Sequence, residues 1–271
     1  MENKNEQAVY LYCVTRTDKR DVTSITGIDA ETPVCLEHLE NFVAVYNMIP
    51  LDTFVGKSAE ENMKNIDWIG PRAMRHEKVI ERMMQESSVY PARFATLFSS
   101  LENLRETLNL KSGLISNFLD QTQNKCEYSL KGFINRKQVF GFLLETEFKD
   151  QKKQLDALSP GKKYLAQRQF DKNVETGISQ WINKTCGTFL DHLTEKNPEF
   201  TPRDLFTEKT ATDDLEMVFN FAFLIHDDNK SAFLQEIALA QETFSQTGLS
   251  LIVSGPWAPY SFCKTAQGEG L

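Results

Sequence analysis

Three short stretches carry residue types and spacings that could do chemistry. "VGKS" at 55–58 follows a strand-like run and opens a helical one, as a phosphate-binding loop does. That loop needs a second glycine five residues before Gly56, and Leu51 stands there, so the backbone cradle for phosphates is missing. "HEKVIE" at 76–81 begins like a zinc-protease helix, but the second histidine would fall at Ile80. His76 then reads as a hydrogen-bonded core residue on a mostly apolar face. "LKGFINRKQVF" at 130–140 imitates an RNA-binding strand, yet Ile134 and Asn135 replace the small residue and phenylalanine that the pattern requires. The histidines at 38, 76, 192 and 226 lie far apart, and no nucleophile motif surrounds any of them. No catalytic, cofactor-binding or metal-ligating residue is assigned.

Two other stretches point to recognition. In "YPARFATLF" (90–98), Arg93 interrupts an apolar run. If that strand is buried the guanidinium needs a carboxylate partner, because an unpaired buried charge is very costly; the alternative is a charged anchor for a partner segment. In "GPWAPYSF" (255–262), Trp257, Tyr260 and Phe262 crowd together after the apolar run "LSLIVS". Gly255, Pro256 and Pro259 are expected to end strand pairing and turn the chain back across the fold. The aromatic bodies then form a clasp, which can also serve as a docking surface. Arg93, Trp257, Tyr260 and Phe262 are the candidate partner-binding residues.

The elements that must position these residues follow from periodicity. Strands are expected at 8–14, 33–39, 41–49, 126–135, 204–212, 216–226 and 249–254, with 88–98 extended. Helices are expected from Ser58 to Glu86 with a break at Gly70-Pro71, from Ser99 or Ser100 to about residue 122, over 136–157 and 159–193, and over 230–246 behind Asp228 or Asn229. The second half spells β-α-β-β-α-β, a ferredoxin-like split βαβ unit. The first half has a similar order, except that 15–31 is too short and polar for the first helix. The fold class is α+β with two lobes joined by helices: residues 1–122, and a ferredoxin-like 123–271 that includes the aromatic tail.

Composition narrows the functional classes. The 271 residues carry a net charge of −8, which argues against nucleic acid and against an anionic membrane surface. Cys13, Cys35, Cys126, Cys186 and Cys263 show no paired spacing, so a reducing cytoplasm is expected. The polar start "MENKNEQ" is no signal peptide, and no run reaches membrane-spanning length.

Six segments in order, "YLYCV" (10–14), the Trp68 helix with His76-Glu77, "PARFATLF" (91–98), "SPGKKYL" (159–165) with Arg168, "FNFAFLI" (219–225) and "GPWAPYSF", resemble the gas vesicle protein family F/L (GvpF/GvpL) over residues 8–262. Ala95 departs from the glycine usual in that family's "RFGT" stretch, and 123–158 matches poorly. The resemblance implies a two-domain α+β fold and a non-enzymatic role in making gas vesicles, as an assembly accessory or a minor component. The implied partners are the hydrophobic shell protein and other accessory proteins, and the implied location is the cytoplasm and the gas vesicle. A small-molecule enzyme or ligand sensor on the same fold remains the rival reading.

Overall fold

In a computed structural model, the structure describes residues 6–16, 25–205 and 215–263. The chain divides into two compact units, one built from residues 1–127 and 256–271, the other from 128–255. The tail therefore belongs with the first unit and not, as the sequence suggested, with the second.

The first unit is a sheet between two helical layers. β1 (Gln7–Thr15), β2 (Cys35–His38), β3 (Val43–Pro50), β4 (Val89–Pro91) and β5 (Leu97–Phe98) form it in the order β2-β3-β1-β4, with β5 beside β4 along the same edge of β1. Every pairing with a recorded register is antiparallel. β1 is buried almost throughout, as a central strand covered on both faces should be. One face carries Tyr10, Tyr12, Val45 and Ile49 against Val79, Ile80 and Met83 of α2 (Ile66–Met84). The other carries Val9, Leu11, Ala44 and Tyr90 against Leu104, Leu108, Ile115 and Leu119 of α3 (Leu101–Leu110) and α4 (Ser112–Gln121).

The helix break near α2 lies elsewhere than expected. A separate α1 (Lys57–Asn62) ends before Asn65, whose side chain accepts the Asp67 N–H as an N-cap, and Gly70-Pro71 continue inside α2. The cap decides the boundary because it satisfies an N–H that Pro71 cannot replace. Ser100 caps α3 as expected, accepting from Asn103. Between β1 and β2 the described residues close a turn through a Thr26–Pro33 bridge, with Asp29 accepting from Glu31 and Thr32.

The second unit places β6 (Lys125–Asn135), β7 (Phe200–Pro202), β8 (Leu215–His226) and β9 (Leu249–Trp257) in the order β7-β8-β6-β9. Counted along the chain, both sheets run second, third, first, fourth. α5 (Arg136–Glu145) and α6 (Lys149–Asp156) fold back along α7 (Pro160–Lys196), and α8 (Lys230–Phe244) precedes β9. A side chain at Gly177 would meet the Phe148 ring at 2.6 Å, so glycine there lets α7 approach its neighbours closely. A strand was expected at 204–212; β7 lies earlier, at 200–202, Asp204 and Leu205 are in no strand, and residues 206–212 of that expectation lie outside the described residues. β9 runs on through Gly255 and Pro256 to Trp257; an edge strand tolerates proline because its outward N–H pairs with nothing.

Candidate functional site

The tail meets the first unit over a polar cluster built on a bulge in β1. Leu11 faces Tyr46 and Cys13 faces Val45, leaving Tyr12 as the extra residue. The bulge lets Tyr10, Tyr12 and Cys13 all face α2. Tyr12 donates to Asn47 at 2.8 Å and accepts the Ile28 N–H at 2.7 Å. Tyr10 lies against His76, its hydroxyl 2.9 Å from Nδ1, and accepts the Ala95 N–H at 3.2 Å.

His76 Nε2 sits 3.1 Å from the Ala92 carbonyl. A carbonyl can only accept, so Nε2 carries the proton and Nδ1 accepts from Tyr10. Burial pushes His76 down to about 4, opposed by the Ala92 carbonyl. The ring is thus neutral near pH 7, and its two nitrogens are both committed to protein groups. That is the hydrogen-bonded core histidine expected from the sequence, and it has no free nitrogen to offer a substrate.

Beyond Trp257 the chain turns inward and buries Ala258 and Pro259. Tyr260 packs on the α2 face of the sheet and Phe262 on the α3–α4 face. The Tyr260 hydroxyl donates to Glu77 at 2.8 Å and lies 3.2 Å from His76 Nε2, which the geometry lets it accept. Burial raises the Glu77 carboxyl above its ordinary range, with the Tyr260 hydrogen bond opposing. Ser261 donates its N–H at 2.8 Å and its hydroxyl at 3.1 Å to the buried Glu127 carboxylate. Burial pushes the Cys263 thiol up to about 12, leaving it protonated and unreactive. The tail straddles the sheet edge with an aromatic anchor on each face.

Of the four candidate residues, Tyr260 and Phe262 are anchors within the fold. Trp257 is 37% exposed. Arg93 is exposed as well, which overturns the buried ion pair: β4 ends at Pro91, and residues 93–95 leave the sheet in a turn where Ala95 has φ 64°. Its charge acts on Tyr90 and Cys263, so it stands beside the tail. Glu77 stood in the sequence only within the His76-Glu77 pair of the resemblance, and its hold on the tail, like that of Glu127, was not read there. The one available signal was Glu127 itself, a carboxylate at the start of an alternating apolar strand.

Other candidate chemistry is already occupied by structure. His226 Nδ1 accepts the Asp228 N–H at 3.3 Å and so caps a short turn. An open pocket of about 440 Å³ lies between the β2–β3 turn and α3, but its Arg105 is held by Glu37 at 2.8 Å. Among the described residues there is no cluster of three or more His, Cys, Asp or Glu placed to hold a metal, and no helix long and apolar enough to cross a membrane.

The family model for gas vesicle synthesis protein GvpL/GvpF matches residues 8–264. The chain belongs to the GvpL/GvpF family. It is 24% identical to gas vesicle protein L of a Streptomyces species, over 96% of this chain and 94% of that one. It is 23% identical to gas vesicle protein F of Dolichospermum flosaquae, over 94% and 97%. The crystal structure of GvpF from an Anabaena species shares the fold at TM-score 0.70 and 19% identity, covering 96% of this chain and 97% of that one. GvpF from Microcystis aeruginosa follows at TM-score 0.67 and 19% identity, covering 95% and 99%. The clasp residues lie inside the span that the GvpL/GvpF model matches.

Proposed function

We propose that this GvpL/GvpF chain is a non-enzymatic accessory of gas vesicle formation, acting in the cytoplasm and at the vesicle, that binds the hydrophobic shell protein and other accessory proteins. A shell that holds gas needs a water-excluding inner face, so its free subunit is an aggregation hazard until assembled. Trp257 and Arg93 are the side chains that meet the partner, while Tyr260 and Phe262 hold that surface in place. The observation that carries this reading is a tail anchored on both faces of the sheet whose remaining aromatic, Trp257, is still partly exposed. The outer edge of β9, where Ile252 is exposed, offers backbone groups for an added strand.

The test is co-purification with the shell protein after co-expression, comparing the native chain with Trp257→Ala and Arg93→Ala. Deleting the tail is unsuitable, because it removes Ala258 and Tyr260 from the core. Loss of retention in Trp257→Ala with an unchanged melting curve supports the reading, and undiminished retention in both variants overturns the assignment of these residues. Retention of the chain on washed, intact vesicles separates a lasting wall component from an assembly helper.

A further inference from the structure

The outer face of the α7 start is unlike that of an ordinary surface helix. α7 spans about 55 Å by its rise per residue, and its packed stripe begins only at Phe170, continuing through Val174, Ile178, Ile182 and Phe189. No residue from Pro160 to Gln169 is buried. At about 100° per residue, Tyr164, Arg168, Lys172 and Leu165 fall within an arc of about 100° whose centre lies roughly opposite Phe170 and Val174, where that stripe begins. Gly161 shares the arc and leaves it low at one end. The outward side of an amphipathic helix is normally polar, yet here Tyr164 is 65% and Leu165 72% exposed.

Charge distinguishes this region further. Residues 149–172 carry seven basic and three acidic side chains, a net of +4, whereas the rest of the chain, with 23 basic and 35 acidic, stands at −12. Part of the positive charge is neutralised locally, Lys163 by Asp156 at 2.8 Å and Lys152 by Glu145 at 3.6 Å. Among the described residues Arg168 has no ion pair, and its guanidinium lies 5.8 Å from the centre of the Tyr164 ring. What is exposed is therefore an apolar pair flanked by cations that the chain's own acids leave available.

We infer that the Tyr164–Leu165–Arg168–Lys172 face of α7 is a docking surface for an acidic, amphipathic helical segment of a partner protein. The apolar pair fits the partner's hydrophobic stripe, and Arg168 and Lys172 fit carboxylates beside it. Charge selects this occupant over the others. A polyanion such as nucleic acid, or an anionic membrane, meets the −12 of the remaining chain, and a second copy brings a net charge of −8 against the same sign. A short acidic segment engages the local +4 alone.

The experiment titrates the full chain with two helical peptides that share one leucine stripe, one bearing glutamates and the other lysines on the polar face, and reads fluorescence anisotropy at low and high salt. The glutamate peptide is expected to bind about tenfold or more tightly than the lysine peptide (~1.4 kcal/mol or more) and to weaken with salt. Arg168→Glu/Lys172→Glu abolishes the preference, and Tyr164→Ser/Leu165→Ser weakens the glutamate peptide while keeping its salt dependence. All four positions are exposed, and circular dichroism melts check that each variant folds. Equal binding of the two peptides, no binding of either, or a preference that survives the charge reversal overturns the inference. So does self-association in sedimentation, or flotation with anionic vesicles, that the same reversal abolishes, since either assigns the face to another occupant.

Discussion

Two proline-and-aromatic segments of this chain meet opposite fates. "GPWAPYSF" folds its Tyr260 and Phe262 into the first unit, where hydroxyl, backbone and carboxylate groups are paired. "SPGKKYL" leaves Tyr164 and Leu165 in water on a helix whose core contacts begin further on. Composition does not separate them. The difference is that one segment leaves β9 at Trp257 and meets His76 and Glu77 of α2 and Glu127 of β6, while the other is helical and satisfies its own backbone. Tyr260 and Phe262 in the first are anchors; Tyr164 in the second is left exposed.

The sharpest way to break this comparison is to truncate an anchor. Tyr260→Ala should cost about 3–4 kcal/mol, the range for emptying a large aromatic site, with a further penalty from the Glu77 carboxylate left without its donor. Urea unfolding measures it, and a loss below about 1 kcal/mol would show the clasp to be ornamental.

The cluster beneath the anchor should make stability depend on pH. The folded state holds His76 at about 4 against an ordinary 6.5, so the unfolded chain binds more protons between those values. Stability from this group is therefore complete above pH 6.5 and is lost as pH falls toward 4, by about 3 kcal/mol. Glu77 acts with the opposite sign: its raised value favours the protonated folded form, and its contribution declines as pH rises above the ordinary glutamate range. Unfolding midpoints across pH 4–6.5 should slope steeply in the native chain and flatten in His76→Gln. An unchanged slope in the variant would assign the pH dependence to other groups.

Smaller effects sharpen the picture. Ala95 holds φ 64° while its N–H binds Tyr10, a conformation that costs an L residue with a Cβ. Ala95→Gly, which restores the glycine usual in the family, should stabilise the first unit by about 0.5–1 kcal/mol in thermal melts; a loss would mean that the added chain entropy outweighs the strain. Smallest of all, Tyr164→Ser/Leu165→Ser should shift stability by no more than ~0.5 kcal/mol, as exposed positions do. A larger loss would place those side chains in the core and erase the contrast with the tail.

Much of the fold was legible because burial follows periodicity. The β-branched and aromatic 8–14 run became β1, the spacing of Leu101, Leu104, Leu108, Ile115 and Leu119 became α3 and α4, and Asn135, which accepts from Gln138, divides strand from helix as the change of period suggests. Boundaries that rest on local competition were harder. Pro71 looks like a helix breaker, but Asn65 caps the helix first. Pro256 looks like a strand breaker, but whether it breaks one depends on which edge of a sheet it occupies.

By itself the sequence determined most of the order of elements, the family and the core-like character of His76, because these follow from residue types and spacing along the chain. Only the tertiary structure decided that the tail joins the first unit, that Arg93 lies outside the core, and that Glu77 and Glu127 receive Tyr260 and Ser261. Those pairings join residues 183 and 134 positions apart. No local pattern encodes a hydrogen bond across such a distance; it exists because the packing of a sheet and its helices brings a donor and an acceptor together where water is excluded.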